Sequence, residues 1–231
     1  MSKGSLLRWV ENRYLRRYFH GRGIEIGPLW RRFSLRPDVR VWYVDRYGGD
    51  ELARHYPELK GGIISPDLLA EAAQLPVAPG SLDFLIASHV LEHLPFPLMA
   101  LRSWYEALAP GGVLLLKVPD KRYTFDLHRS RTSLAHLLNE HQNPDQFDSR
   151  AHYADWVEKG GGQDSSTPGF DQAVQDLMER NYSIHFHVWI DEDVRELLNF
   201  TRQNWQLEWE PVVFWGAHFY RKEITVLLVR K

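Results

Sequence analysis

The sequence predicts an α/β fold built on a mostly parallel sheet, and three observations carry that prediction. Leu85-Ile86-Ala87 and Val113 to Val118 are apolar runs of buried-strand length with a helix-capable segment between them, the β-α-β pattern of a parallel pair. Two further β-rich runs, Arg22–Gly27 and Arg40–Asp45, precede them. At 231 residues, with 44% hydrophobic and 25% charged positions, the chain suits a single domain with a sizeable core.

Ser5 to Phe19 carries apolar residues at Leu6, Trp9, Val10, Tyr14 and Phe19, close to helical spacing, so an N-terminal helix is expected within residues 1–20. Its other face bears Arg8, Arg13, Arg16 and Arg17. A basic amphipathic helix can lie on a membrane surface, but this apolar face is short and favours docking on the domain, over one edge of the sheet. Arg22–Gly27 and Arg40–Asp45 supply the first two strands, Glu51–Tyr56 a helix, and Gly62–Ser65 a short third strand. Leu98–Leu108 is the helix after the fourth strand, stopped near Pro110, with Gly111-Gly112 turning into the fifth. Lys121 to Tyr182 then interrupts the sheet with polar, helix-capable sequence and a Gly160-Gly161-Gly162 break; an insertion of this length is expected to be a lid. Asp191–Gln203 is a helix with acidic residues in its first turn, where they complement the helix dipole. Trp205–Phe214 and Glu223–Val229, separated by Gly216, form a terminal hairpin.

Composition narrows the function. A formal net charge of −2 argues against a general grip on nucleic-acid phosphates. The absence of cysteine removes disulfides, thiolate metal sites and thiol nucleophiles. No apolar run approaches membrane-spanning length and no secretory h-region follows the first residues, so a cytoplasmic location is the expectation. Nine Trp and ten Tyr are available for the core, and secondarily for clefts that hold flat or sugar-like ligands.

The stretch from Glu71 to Pro119 joins an acidic-Ala-x-x-Leu-Pro turn, the fourth strand ending in Ser88-His89-Val90-Leu91-Glu92-His93, a helix, Pro110-Gly111-Gly112 and the fifth strand. The order and spacing of these words resemble the second half of a class I S-adenosylmethionine-dependent methyltransferase of the small-molecule type. That resemblance implies a Rossmann-like, seven-stranded, mostly parallel sheet with an antiparallel last strand. It also implies S-adenosylmethionine as cofactor. Ligands of such sheets bind beyond the carboxyl ends of the strands, where a Gly turn allows close approach and a carboxylate on the next strand holds the ribose. By position these are Gly27 and Asp45. The resemblance adds Glu25 as the acid before the turn, Glu71 and Ala72 at the adenine, and Ser88 and His89 facing the sulfonium and the incoming acceptor. The turn itself departs from Gly-x-Gly-x-Gly, reading Gly27-Pro28-Leu29-Trp30-Arg31-Arg32-Phe33. NAD binding uses the same logic but demands its glycines more strictly, because a pyrophosphate must pack on a helix N-terminus. An NAD-dependent sugar-modifying enzyme is therefore the weaker alternative.

Transfer of a methyl group to a hydroxyl needs alignment and a destination for the proton, for which histidine is suited. His89 is one candidate base. Pro119-Asp120-Lys121-Arg122-Tyr123-Thr124-Phe125-Asp126-Leu127-His128-Arg129, continuing to Thr132 and His136, with His185-Phe186-His187 before the last helix, resembles a bacterial methyltransferase-like subgroup associated with glycosyltransferases and surface-polysaccharide assembly. The resemblance implies a small-molecule or sugar acceptor and glycosyltransferase partners. Alternate residues of a strand share a face, so His185 and His187 are expected to point the same way. In the favoured site Asp126, His136 and His185 or His187 line the acceptor pocket with Lys121 and Arg122, and no metal takes part. In a second arrangement Asp126, His128, His185 and His187 hold a divalent metal. A rival of another class is a catalytically inactive methyltransferase-like module that binds a glycan or a glycan-assembly enzyme, for which the altered Gly27-Pro28 turn speaks.

Overall fold

Alternation along two central strands divides the core into two layers. In β4 (Leu82–Ser88) and β5 (Leu108–Pro119), Leu85, Ala87, Leu114 and Leu116 face one side, while Phe84, Ile86, Val113 and Leu115 face the other. Both faces are apolar, so both must be covered, and the runs lack the polar alternation of a half-exposed sheet. The computed structural model describes residues 3–59 and 62–231. Five more strands complete the sheet: β1 (Arg22–Ile26), β2 (Arg40–Asp45), β3 (Leu68–Leu69), β6 (Trp209–Trp215) and β7 (Glu223–Arg230). Their spatial order is β3-β2-β1-β4-β5-β7-β6. The first five are parallel to their neighbours, and β7 runs antiparallel to both β5 and β6. The order reverses at β1, between β2 and β4, which opens the ligand crevice of such sheets.

One face is covered by α3 (Pro97–Ala107), α4 (Leu134–Gln142) and α7 (Asp191–Trp205), through Leu98, Leu101, Trp104, Leu137, Val194 and Leu197. Proline at the first position of α3 costs no hydrogen bond, because that N–H has no partner inside a helix. Trp104 is fully buried and donates its indole N–H to the Ala72 carbonyl at 2.7 Å, fixing from below the wall on which Glu71 and Ala72 sit. Truncation to alanine would cost about 3–5 kcal/mol. The other face holds Leu15, Phe19 and Phe33. α2 (Gly49–His55) follows β2. Within residues 121–182, α4 belongs to the main core, whereas Tyr153 of α5 (Ser149–Asp155) and Phe170 and Val174 of α6 (Phe170–Glu179) join Val157, and Ile184 beyond the segment, in a third cluster. No described helix is long and apolar enough to cross a membrane.

Two expectations are corrected. The third strand is Leu68–Leu69 rather than Gly62–Ser65. Ile64 spends its N–H on the Leu29 carbonyl, Pro66 has none, and Asp67 fixes the register by accepting the Tyr43 N–H through its side chain. The N-terminal helix, α1 (Lys3–Leu15), docks, but not through Leu6, Trp9 and Val10, which are all exposed. Its inward face is Leu15 together with Glu11, whose buried carboxylate pairs with Arg221 at 2.6 Å. Residues 1 and 2 of the expected helix lie outside the described residues.

Candidate active site

The carboxyl ends of β1, β2 and β4 open into two adjoining cavities of about 190 and 540 Å³, which share Gly27, Leu29, His89 and His93 among their lining. The smaller is lined by Asp45, Glu71, Ala72, Tyr47 and His55; the larger by Glu25, Ser88, Lys117, His185 and Glu223, with Trp30, Phe125 and Trp156 as aromatic walls.

Gly27 turns the chain out of β1 at φ +59°, a conformation open to glycine, and donates to the Val44 carbonyl at 2.8 Å. Residues 28–39 then run as loop and turn, with no helix behind them. The loop is held from two sides: the Leu29 carbonyl accepts from Ile64, and both oxygens of buried Glu25 accept the Phe33 N–H at 2.8 and 3.0 Å. Burial outweighs that bond and the nearby Arg32 charge, and pushes the Glu25 carboxyl up to about 7. Glu25 therefore shapes the loop from beneath. Asp45 ends β2 in the smaller cavity, where burial raises its carboxyl against the Tyr47 and Arg46 amides and the Arg46 charge, with Glu71 reinforcing the rise. Tyr47 stacks on His55 at 4.6 Å, making a flat wall beside it.

His89 leaves β4 at φ +57°, a left-handed conformation that costs a non-glycine residue strain. Its ring is held between two carboxylates, Nε2 at 2.9 Å from Glu223 and Nδ1 at 3.2 Å from Glu92. Burial opposes charge on the ring, but Glu223 and Glu92 together push it up to about 10. His89 is thus an imidazolium at neutral pH with no lone pair for a proton, a cation rather than a base. Glu223, from β7, also binds the buried Lys117 ammonium at 2.9 Å. Glu223 had no signal in the sequence, since the sheet brings it across 134 positions, whereas Glu92 lies three residues from His89.

Asp126 and His185 meet. Asp126 is fully buried, and Oδ2 accepts from His185 Nδ1 at 2.8 Å while Oδ1 accepts from Arg129 at 3.0 Å. Burial opposes the Asp126 charge, but His185 and Arg129 outweigh it and hold the carboxyl below its usual range. Nδ1 of His185 is taken by Asp126, which leaves Nε2 as the other ring nitrogen for proton exchange. His93 lies edge-on to His185 with centroids 4.7 Å apart; burial lowers it to about 4, so it is neutral, and Nδ1 faces the Ile184 carbonyl at 2.8 Å.

His185 and His187 do not share a face. Phe186 and His187 both donate N–H groups to the Glu92 carbonyl, at 2.7 and 3.2 Å, so the chain bends there instead of running extended. His187 is carried away from the cleft to His136, and neither lines the two cavities. Lys121 and Arg122 are also elsewhere: Lys121 donates to the Leu127 carbonyl and Arg122 pairs with Asp120. The metal set of Asp126, His128, His185 and His187 is not assembled, because His128 is exposed and His187 faces away.

A family model described as "Methyltransferase domain" matches residues 37–163, more than half of the chain, beginning beyond the Gly27 turn. No curated protein matches the sequence. Among solved structures, a putative zinc-dependent alcohol dehydrogenase from Rhodobacter sphaeroides is 17% identical, with a TM-score of 0.55 over 96% of this chain and 90% of that one. The N-methyltransferase NodS from Bradyrhizobium japonicum WM9, in complex with S-adenosyl-L-homocysteine, is 14% identical, with a TM-score of 0.50 over 99% and 88%. At such identities these likenesses speak for the fold.

Proposed function

The chain belongs to the methyltransferase domain family, and from that premise we propose that it works with S-adenosylmethionine and methylates a hydroxyl oxygen of a small, saccharide-type acceptor. The observation that carries this reading is the pair of adjoining cavities, one with a strand-end carboxylate and a flat aromatic wall, the other with a buried Asp126–His185 pair.

In this reading the smaller cavity takes the adenosine. Asp45 accepts from the ribose hydroxyls, Ala72 and Glu71 border the adenine, and Gly27 lets the backbone approach the methionine end. The acceptor lies in the larger cavity against Trp30, Phe125 and Trp156, whose faces suit the C–H surfaces of a sugar ring. Its hydroxyl oxygen attacks the methyl carbon in line, the carbon–sulfur bond breaks, and the sulfonium becomes a neutral thioether. The proton passes to Nε2 of His185, and Asp126 stabilises the imidazolium that forms. Ser88 lines the larger cavity, while the His89 imidazolium between Glu92 and Glu223 orders the floor. The reading extends to a role beside glycosyltransferases, on the resemblance of residues 119–136 and 185–187 alone.

Calorimetric titration with S-adenosylmethionine, its demethylated product and NAD tests the premise. Micromolar binding of the first two, lost in Asp45→Ala, is expected. NAD should not bind, because no helix N-terminus follows Gly27 to receive a pyrophosphate. The rival binding module draws on the same altered loop. Absence of cofactor binding at millimolar concentration would leave the module standing and end the catalytic reading.

A further inference from the structure

Behind the lid, away from the cleft, a second set of histidines converges on one carboxylate. His136 and Glu140 sit one turn apart on α4, His152 comes from α5, and His187 from the bend after His185. Glu140 Oε1 lies 2.9 Å from His136 Nε2 and 2.7 Å from His152 Nε2, and Oε2 lies 3.7 Å from His187 Nε2. One ligand-capable atom from each histidine lies within 4.8 Å of those of the other two. The rings stand nearly perpendicular to one another, with centroids 5.4 to 6.0 Å apart.

Backbone carbonyls hold two of these rings from outside. His152 Nδ1 faces the Phe186 carbonyl at 3.0 Å, and His187 Nε2 faces the Pro95 carbonyl at 3.2 Å. This is how proteins fix the tautomer of a metal-ligating histidine. On the other side of its ring His152 Nε2 faces the Glu140 carboxylate, whose Oε2 is buried without a hydrogen-bond partner. His187 Nδ1 is also fully buried without a partner. A solvent-facing cavity bordered by His136 and His152 provides the way in.

We propose that His136, His152 and His187, with Glu140 as the oxygen donor, bind one divalent transition-metal ion of the zinc type. Three imidazoles and a carboxylate match the borderline donors this ion takes in four-coordinate sites. The ion is structural. It ties α4 of the main core to α5 of the lid, and holds the His187 segment two residues from His185, so it sets the position of the acceptor-side base without touching the acceptor.

The test uses the full chain without an affinity tag, stripped of metal and titrated with Zn²⁺ and Co²⁺. The expected result is one equivalent bound per chain, visible Co²⁺ bands of a four-coordinate nitrogen–oxygen site, and a raised thermal midpoint with Zn²⁺. His136 is half exposed, so His136→Gln should fold. It and His152→Gln should each weaken Zn²⁺ by at least about tenfold, the lower bound for losing even an outer partner of a metal site. His93 belongs to a different triad, Glu92, His93 and His185, in the cleft, and His93→Gln should leave uptake unchanged. The proposal is overturned by absence of stoichiometric uptake, by uptake unaffected in both His136→Gln and His152→Gln, or by uptake lost in His93→Gln.

Discussion

The two halves of the cleft are made from different material. The half proposed for adenosine is set by strand ends: Gly27 leaves β1, Asp45 ends β2, and Ala72 is pinned by Trp104 from the core. The half proposed for the acceptor is set by long-range side-chain pairs: Asp126 and His185 meet from two loops across 59 positions, and Glu223 reaches His89 across 134. A strand end inherits its place from the sheet ladder, so a residue there is located once the strands are. A loop residue is located only by the partners it finds, and those partners are distant in sequence.

That difference can be broken at either half. Asp45→Ala should weaken S-adenosylmethionine by about ten- to a hundredfold, since a hydrogen bond to a charged group contributes roughly 1.5–3 kcal/mol. Calorimetry with an unchanged thermal midpoint would place the loss in the adenosine half; unchanged affinity would dismiss Asp45 as the ribose carboxylate. His185→Gln should do the reverse, lowering kcat by roughly 10²–10⁴-fold, the range for a positioned base, with cofactor affinity retained. Wild-type turnover in this variant would remove the Asp126–His185 pair from the chemistry.

The loop joining the halves gives a subtler effect. Glu25 is raised from 4.5 to about 7 in the folded chain, chiefly by burial. A raised folded value means that its stabilising contribution is present below the unfolded value and lost as pH climbs through about 7. Urea unfolding should therefore show the wild type losing up to about 3 kcal/mol between mildly acid and mildly alkaline pH that Glu25→Gln does not lose. Parallel pH profiles for the two proteins would rule out a buried, raised carboxyl. The smallest change is expected outside the cleft altogether. Trp9→Ser, on the exposed side of α1, should leave stability within about 0.5 kcal/mol, because the helix docks through Glu11 and Leu15.

The same contrast marks what was legible in the sequence. β1, β4 and β5 stand where their apolar runs predict, because burial on both faces writes itself into consecutive residues, and β2, only partly buried, stands where its β-rich run does. β3 escaped, since its two residues are exposed and its register rests on the Asp67 side chain rather than on an apolar pattern. The opposed directions of His185 and His187 escaped too, because period-two reasoning assumes an extended chain and the Glu92 carbonyl bends it. His136 and Glu140 were within reach, as their spacing of four puts them on one helical face. His152 and Glu223 carried no local signal.

The place of β7 has a consequence for the order of assembly. It lies between β5 and β6, yet it follows both in sequence. On the ribosome, which delivers the chain from its N-terminus, β5 and β6 each wait with an unpaired edge until residues 223–230 emerge. Glu223, the first residue of that strand, is also the counter-charge for both His89 and Lys117. The strand that closes the sheet is therefore also the one that delivers the carboxylate shared by His89 and Lys117 at the floor of the cleft.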